Sequence, residues 1–245
     1  EARVHRHASE NRDEVEVLRR LSGGFSNLEY LADTGLATDR LCAAHCVWVT
    51  DSEQDLLAER QVKVMHCPGS NLKLGSGIAP VAEMRSRGIS VSLGADGAAC
   101  NNRLDIFDEM RLAATLQAVR LAPGALPARD VVWMATREGA RALGLDAGVG
   151  SIETGKKADL VLLDLRMPGM DGYETCRRIR EKQGSDVAVV ALTGWGQERD
   201  REEAIRAGFD AHFTKPADPI ALKRLLSENR DVHPRSRRRR TSIPT

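Results

Sequence analysis

Four times between residues 3 and 120 a short apolar run is followed by a stretch with hydrophobic residues at helical spacing, and this alternation constrains the fold more than any other feature. Residues 3–9 alternate like a strand, and Glu10 to Leu21 then carries Val15, Leu18 and Leu21 on one helical face. After the Gly23-Gly24 break, Ser26 is placed to cap a helix bearing Leu28 and Leu31 that stops at Gly35. Leu41 to Val49 reads as the second strand, and Thr50 with Glu53 spells a capping box for the next helix. Gln61 to His66 is the third strand, Pro80 suits a first helical turn, and Ile89 to Ala95 is a fourth strand followed by a helix from Asp105 to Arg120. Repeated strand-then-helix units predict an α/β fold: a parallel sheet with right-handed crossovers, open or curled into a barrel.

Polar residues fall where these strands end: His7 and Glu10 after the first, His45 after the second, His66 after the third, Asp96 after the fourth. In a parallel β/α barrel the carboxyl ends of the strands converge on one face, so residues distant in sequence can surround one metal or substrate there. Imidazole and carboxylate are the ligands expected of zinc or iron in a hydrolytic site, where a bound water ionises near pH 7. A lone histidine at a strand end is more often structural, and His5 and His66 are read that way. His7, His45 and Asp96 at three strand ends, with Glu10 one turn after His7, favour a metal site instead.

Charge and cysteine content narrow the setting. A formal net charge of +1 over 245 residues offers no general attraction for nucleic acid or membrane. Five cysteines form no Cys-x-x-Cys pair, which argues against a disulfide framework and for a reducing cytoplasm. No apolar run reaches 18 residues and no signal peptide is apparent, so no membrane association is expected. The sequence opens at Glu1, without Met, directly in a strand-like pattern, which reads as a truncation.

The motifs His5-Arg-His7-Ala-Ser-Glu10-Asn, Ala44-His45-Cys46-Val47, His66-Cys-Pro-Gly-Ser-Asn71-Leu-Lys-Leu-Gly-Ser-Gly77 and Ser92-Leu-Gly-Ala-Asp96-Gly97, then Asn101-Asn102, resemble the amidohydrolase superfamily. Within it they are most similar to adenosine-derivative deaminases and triazine chlorohydrolases, over residues 1 to about 163. The resemblance implies Zn2+ or Fe2+ held by His7 and Asp96, His45 orienting the water and shuttling its proton, and Glu10 protonating a ring nitrogen. Asp96 shares in taking the water's proton, and the loop from Ser70 to Gly77 shapes the pocket. The implied reaction is hydrolysis of a C–N or C–Cl bond on a nucleoside-like or triazine-like ring. The family's first-strand His-x-His pair has no counterpart here, which His5-Arg-His7 imitates only superficially. About half of a barrel of eight strands and roughly 250 residues implies an open edge and weak or no activity in the isolated chain, with assembly into a homo-oligomer as one way to complete it.

The apolar strand near residues 158–165 is a seam. From Asp164-Leu-Arg-Met167-Pro168-Gly-Met-Asp171-Gly172 onward, with a strand from Val187 to Thr193, a helix through Ala204 and Ile205, a strand at Ala211 to Thr214 and Lys215-Pro216, the pattern resembles the later part of a response-regulator receiver domain. That resemblance implies Asp164 as phosphoacceptor, Thr193 and Lys215 contacting the phosphoryl group, Mg2+ as cofactor and a histidine kinase as partner. The family's acidic pair is missing, and His212 stands where its switch aromatic usually sits. The expected organisation is a partial barrel over 1–158, a partial flavodoxin-like receiver over 159–228 and a basic disordered tail over 229–245, where four consecutive arginines without stacking aromatics argue against nucleic-acid binding. Three functions are therefore carried forward: the hydrolase, a phosphorelay receiver, and an inactive join of two partial genes.

Overall fold

The computed structural model describes residues 3–158, 160–167, 169–184, 187–194, 198–218, 220–222 and 224–225. Asp159, Pro168 and the arginine-rich tail lie outside the described residues. The chain divides into two compact units, 1–156 and 157–245.

In the first unit the elements run β1 (Val4–Ala8), α1 (Arg12–Leu21), α2 (Asn27–Asp33), β2 (Leu41–His45), α3 (Asp51–Glu59), β3 (Lys63–His66), α4 (Pro68–Lys73), α5 (Val81–Ser86), β4 (Val91–Leu93), α6 (Ile106–Arg120), α7 (Ala128–Ala135) and α8 (Arg137–Leu143). The strands pair in parallel in the order β1-β2-β3-β4, with Val4 opposite Leu41, Cys42 opposite Lys63 and Val64 opposite Val91. Each crossover moves one strand in the same direction, which is the winding of a barrel arc rather than of a sheet built outward from its middle.

Local chemistry explains the helix starts. Asn11 accepts the Glu14 N–H at the head of α1, and complete capping boxes form at Ser26/Glu29 and Thr50/Glu53. Each satisfies amide groups that a helix end leaves without partners. One face of the sheet, with Leu41, Ala43, Val64 and Val91, packs on Leu28, Leu57, Val81, Met84, Ala113 and Met134. Full burial of each such Leu, Val or Met side chain contributes about 1.5–3 kcal/mol. All of β2 is buried, whereas four of five β1 residues are exposed. The reason is topological: among the described residues β1 pairs only with β2.

The strands are shorter than their apolar runs. β2 ends at His45 rather than Val49 because His45 and Cys46 adopt φ of 70° and 46°, and the Cys46 amide turns to donate to Ala8 O at 3.0 Å. β3 begins at Lys63 because Gln61 is left-handed (φ 54°). β4 covers Val91–Leu93 instead of 89–95, with Asp96 at φ 61° just beyond it. Pro80 is the N-cap of α5 rather than its first residue.

In the second unit β5 (Leu160–Asp164), α9 (Gly172–Gln183), β6 (Ala188–Thr193), α10 (Glu198–Ala207) and β7 (Ala211–Thr214) form a three-stranded parallel sheet in the order β5-β6-β7. Leu163, Cys176, Val189, Ala191, Ala204 and Phe209 make its core. Gly172 is required where α9 passes β5, since a Cβ there would lie 2.3 Å from the Asp164 carbonyl oxygen. Among the described residues no helix is long and apolar enough to cross a membrane, and the five cysteines are free thiols.

Candidate active site

The carboxyl ends of β1, β2 and β4 bring His7, Glu10, His45 and Asp96 together. His45 is wholly buried, and its ring meets that of His7 edge-on at 4.7 Å between centroids. Glu10 Oε2 lies 3.8 Å from His7 Nδ1 and 3.8 Å from His45 Nε2. Asp96 Oδ2 approaches the same Nε2 to 3.9 Å. One donor atom each from His7, Glu10 and His45 falls within a mutual distance of 4.8 Å. Asp96 joins this group through His45. Of the other sequence candidates, His66 is buried after β3 and His5 is exposed on β1.

The backbone aims these groups. His45 and Asp96 lie in the left-handed region, as does Ser9 between His7 and Glu10. Non-glycine residues held there cost on the order of 1–3 kcal/mol each and persist only where the surroundings enforce them. Here the enforcing contacts are visible. Ser70 Oγ donates to Asp96 Oδ2 at 2.6 Å and the Gly97 amide donates to Oδ1 at 2.7 Å. Burial works against ionising Asp96 most strongly, but these two hydrogen bonds and the nearby imidazoles together outweigh it and hold the carboxyl below its usual range. The Glu10 amide donates to Glu14 Oε2 at 2.8 Å, and Asn27 Nδ2 donates to the other Glu14 oxygen at 2.6 Å.

His45 Nε2 is a buried nitrogen without a hydrogen-bond partner. It faces two carboxylate oxygens at distances too long for hydrogen bonds. Imidazole nitrogens and carboxylate oxygens gathered at this end of the sheet are the donor types that zinc or ferrous iron takes. The nearby cysteines do not compete: burial pushes the Cys67 thiol up to about 12, and it raises Cys46 as well, keeping both protonated. Sequence reading missed the individual anchors Ser70, Asn71 and Ser76. Their motif was noticed, but nothing in its spacing says which side chain meets which partner.

In the second unit Asp164 ends β5, Thr193 ends β6 and Lys215 directly follows β7. Lys215 Nζ pairs with Asp164 Oδ2. That contact, followed by the Arg166 amide, holds the Asp164 carboxyl below its ordinary range. Thr193 is buried and in register with Thr214.

Comparison with known proteins bears on this geometry. The amidohydrolase family model matches residues 1–210. The 5'-deoxyadenosine deaminase of Methanothermobacter thermautotrophicus is 49% identical over 202 residues, covering 81% of this chain and 47% of the relative. The 5-methylthioadenosine/S-adenosylhomocysteine deaminase of Halobacterium salinarum is 50% identical over 202 residues, covering 81% and 46%. The chain thus spans about half the length of the curated relatives it matches. Among solved structures, a zinc-bound adenosine deaminase of Xanthomonas campestris superposes with a TM-score of 0.62 at 44% identity, over 64% of this chain and 36% of that one. The zinc complex of the atrazine chlorohydrolase of Arthrobacter aurescens gives 0.60 at 32% identity, over 64% and 35%.

Proposed function

Because the chain belongs to the amidohydrolase family, we propose that its first unit carries the strand-end residues of a metal-dependent deaminase acting on the purine ring of 5'-substituted adenosines. The observation that supports this most is the partnerless, buried His45 Nε2 facing the Glu10 and Asp96 carboxylates. His7 and Asp96 would hold the ion. Zinc, when bound, supplies Lewis acidity and a water that ionises near neutral pH. Asp96 and His45 Nε2 take up the proton of the attacking water. Glu10 delivers a proton to the ring nitrogen next to the carbon under attack, so charge does not build on the ring; the proton taken up by His45 passes to the amino group, which departs as ammonia, and the remaining hydroxyl proton goes to a carboxylate as the carbonyl forms. Displacement of chloride from a triazine would use the same groups. Closer identity to the adenosine-derivative deaminases, 49% against 32% for the chlorohydrolase, favours an amino leaving group.

The test is ammonia release from 5'-deoxyadenosine, 5-methylthioadenosine and S-adenosylhomocysteine, with chloride release from atrazine alongside, each with zinc and after chelation. Slow zinc-dependent ammonia release from the adenosines is expected, since His7 and Asp96 are two ligands where a catalytic zinc usually has three. Chloride release alone would replace this reading, and turnover unaffected by chelation would end it.

A second reading concerns the second unit. The Asp164–Lys215 pair beside Thr193, at one end of three adjacent parallel strands, supports Asp164 as a phosphoacceptor in a receiver-like unit that uses Mg2+ and a histidine kinase. Acetyl phosphate with Mg2+ is expected to add one phosphoryl mass to the peptide containing Asp164. An unmodified peptide would leave the pair as a surface ion pair only.

A further inference from the structure

We propose that the segment Ser70–Ser76, which follows β3, is a positioning bracket for the reacting groups of the other three strands, with Asn71 fixing the tautomer of His45. The inference rests on the deaminase reading of the same residues. Three contacts define the bracket. Ser70 Oγ donates to Asp96 Oδ2 at 2.6 Å, Asn71 Oδ1 lies 2.8 Å from His45 Nδ1, and Ser76 Oγ donates to Glu10 Oε1 at 3.3 Å. Three residues within a stretch of seven therefore touch groups that stand beyond β4, at the end of β2 and in the turn after β1.

The segment is itself held at several points. The Gly69 amide donates to Glu109 Oε2 at 2.9 Å, and a Cβ at Gly69 would fall 2.4 Å from Glu109 Oε1, so a side chain there would displace this buried carboxylate. Lys73 Nζ donates to Ala99 O and to Asn102 Oδ1, both at 2.7 Å. Trp48 Nε1 donates to Ser76 O at 2.7 Å, and the Ser76 amide donates to Asn71 O at 2.8 Å.

The Asn71 contact has the sharpest chemical consequence. With Asn71 Oδ1 as the acceptor, an orientation that leaves Asn71 Nδ2 without a partner, the shared hydrogen is on His45 Nδ1 and the neutral ring keeps its lone pair on Nε2. Both side chains are fully buried, leaving no solvent to substitute for the contact. Without an acceptor at Nδ1, the Glu10 and Asp96 oxygens facing Nε2 would draw the ring proton to that nitrogen. His45 would then present N–H where the reaction needs a base.

Ring-nitrogen NMR of the chelated full chain, with 15N-labelled histidine at mildly alkaline pH, reads this directly. The His45 signals are identified by their loss in His45→Gln. Wild type is expected to show a protonated Nδ1 and an unprotonated Nε2, as is Asn71→Asp, which retains an acceptor. Asn71→Leu is expected to move the proton to Nε2 and lower kcat about 10–100-fold with KM little changed, while Asn71→Asp largely restores kcat. A wild-type spectrum with the proton on Nε2 overturns the proposal and requires no variant to fold. An unchanged tautomer in a folded Asn71→Leu also overturns it. If the tautomer moves as expected but no adenosine derivative is deaminated, the deaminase reading fails while the bracket stands. If deamination is found and the tautomer does not depend on Asn71, the bracket fails alone.

Discussion

Glu10 stands within ligand distance of two histidines, yet its proposed work is to give a proton. Those roles separate cleanly by experiment. Glu10→Gln is expected to lower kcat for ammonia release by about 10²–10⁴-fold, the range of general acid catalysis, while zinc content measured by atomic absorption stays at the wild-type level. Loss of zinc in step with activity would make Glu10 a ligand. His66 poses a different question, because neither of its ring nitrogens finds a partner and burial, with His45 second, pushes its imidazole down to about 3. The unfolded chain takes up a proton near the ordinary value of 6.5, which the folded chain refuses until about 3. The stabilising contribution of neutral His66 is thus full above the unfolded value and is lost as pH falls from there towards the folded one. Urea midpoints compared at about pH 7.5 and pH 5 should show a smaller fall in His66→Leu than in wild type; parallel falls would mean that His66 does not contribute. That His7, Glu10, His45 and Asp96 belong together was legible from their places at strand ends. That Asn71, 26 residues from His45, is its hydrogen-bond partner was not, because no sequence periodicity relates a helix after one strand to the terminus of its neighbour.

The helices α2 and α3 begin where Ser26 and Thr50 said they would, since a capping box is a contact among four consecutive residues and needs no tertiary help. Thr50 and Glu53 satisfy each other's amides at the start of α3, and Glu53 is buried there. Thr50→Ala is expected to lower unfolding free energy by about 1 kcal/mol, read as a shifted urea midpoint with an unchanged slope. A neutral result would mean that α3 is held by packing alone. The strands behaved otherwise. Their apolar runs predicted β2 to Val49 and β4 to Ala95; β2 stops where His45 turns left-handed, and β4 stops at Leu93, short of the left-handed Asp96. Hydrophobicity marks what is buried, but the point at which a buried run leaves the ladder depends on hydrogen bonds to neighbouring strands, such as Cys46 N–H to Ala8 O. Pro80 shows the same limit on a smaller scale: its fixed φ suits either the cap or the first turn, and its ψ of 59° puts it at the cap.

At the scale of the whole chain, two units with separate cores, 1–156 and 157–245, are expected to unfold in two calorimetric transitions. Zinc at about 100 times its Kd would stabilise the unit that binds it by about 2.7 kcal/mol, so the metal should raise one transition and leave the other in place, and should raise neither after His7→Ala. A single transition that moves as a whole would indicate that the units unfold together. The amidohydrolase match extends through residue 210, past the boundary between the units and past the limit near residue 163 expected from the motifs, so it takes in β5, α9, β6 and α10. What the sequence by itself determined was local or periodic: the alternation of strands and helices, the capped helix starts, and the chemical types standing at the strand ends. Tertiary structure alone decided which strand edges stay unpaired, where His45 and Asp96 turn, and which serine or asparagine reaches which reacting group. The physical reason is that capping and periodicity act over a few residues, whereas a hydrogen bond between Ser70 and Asp96 or Ser76 and Glu10 exists only after separate strands have been brought side by side.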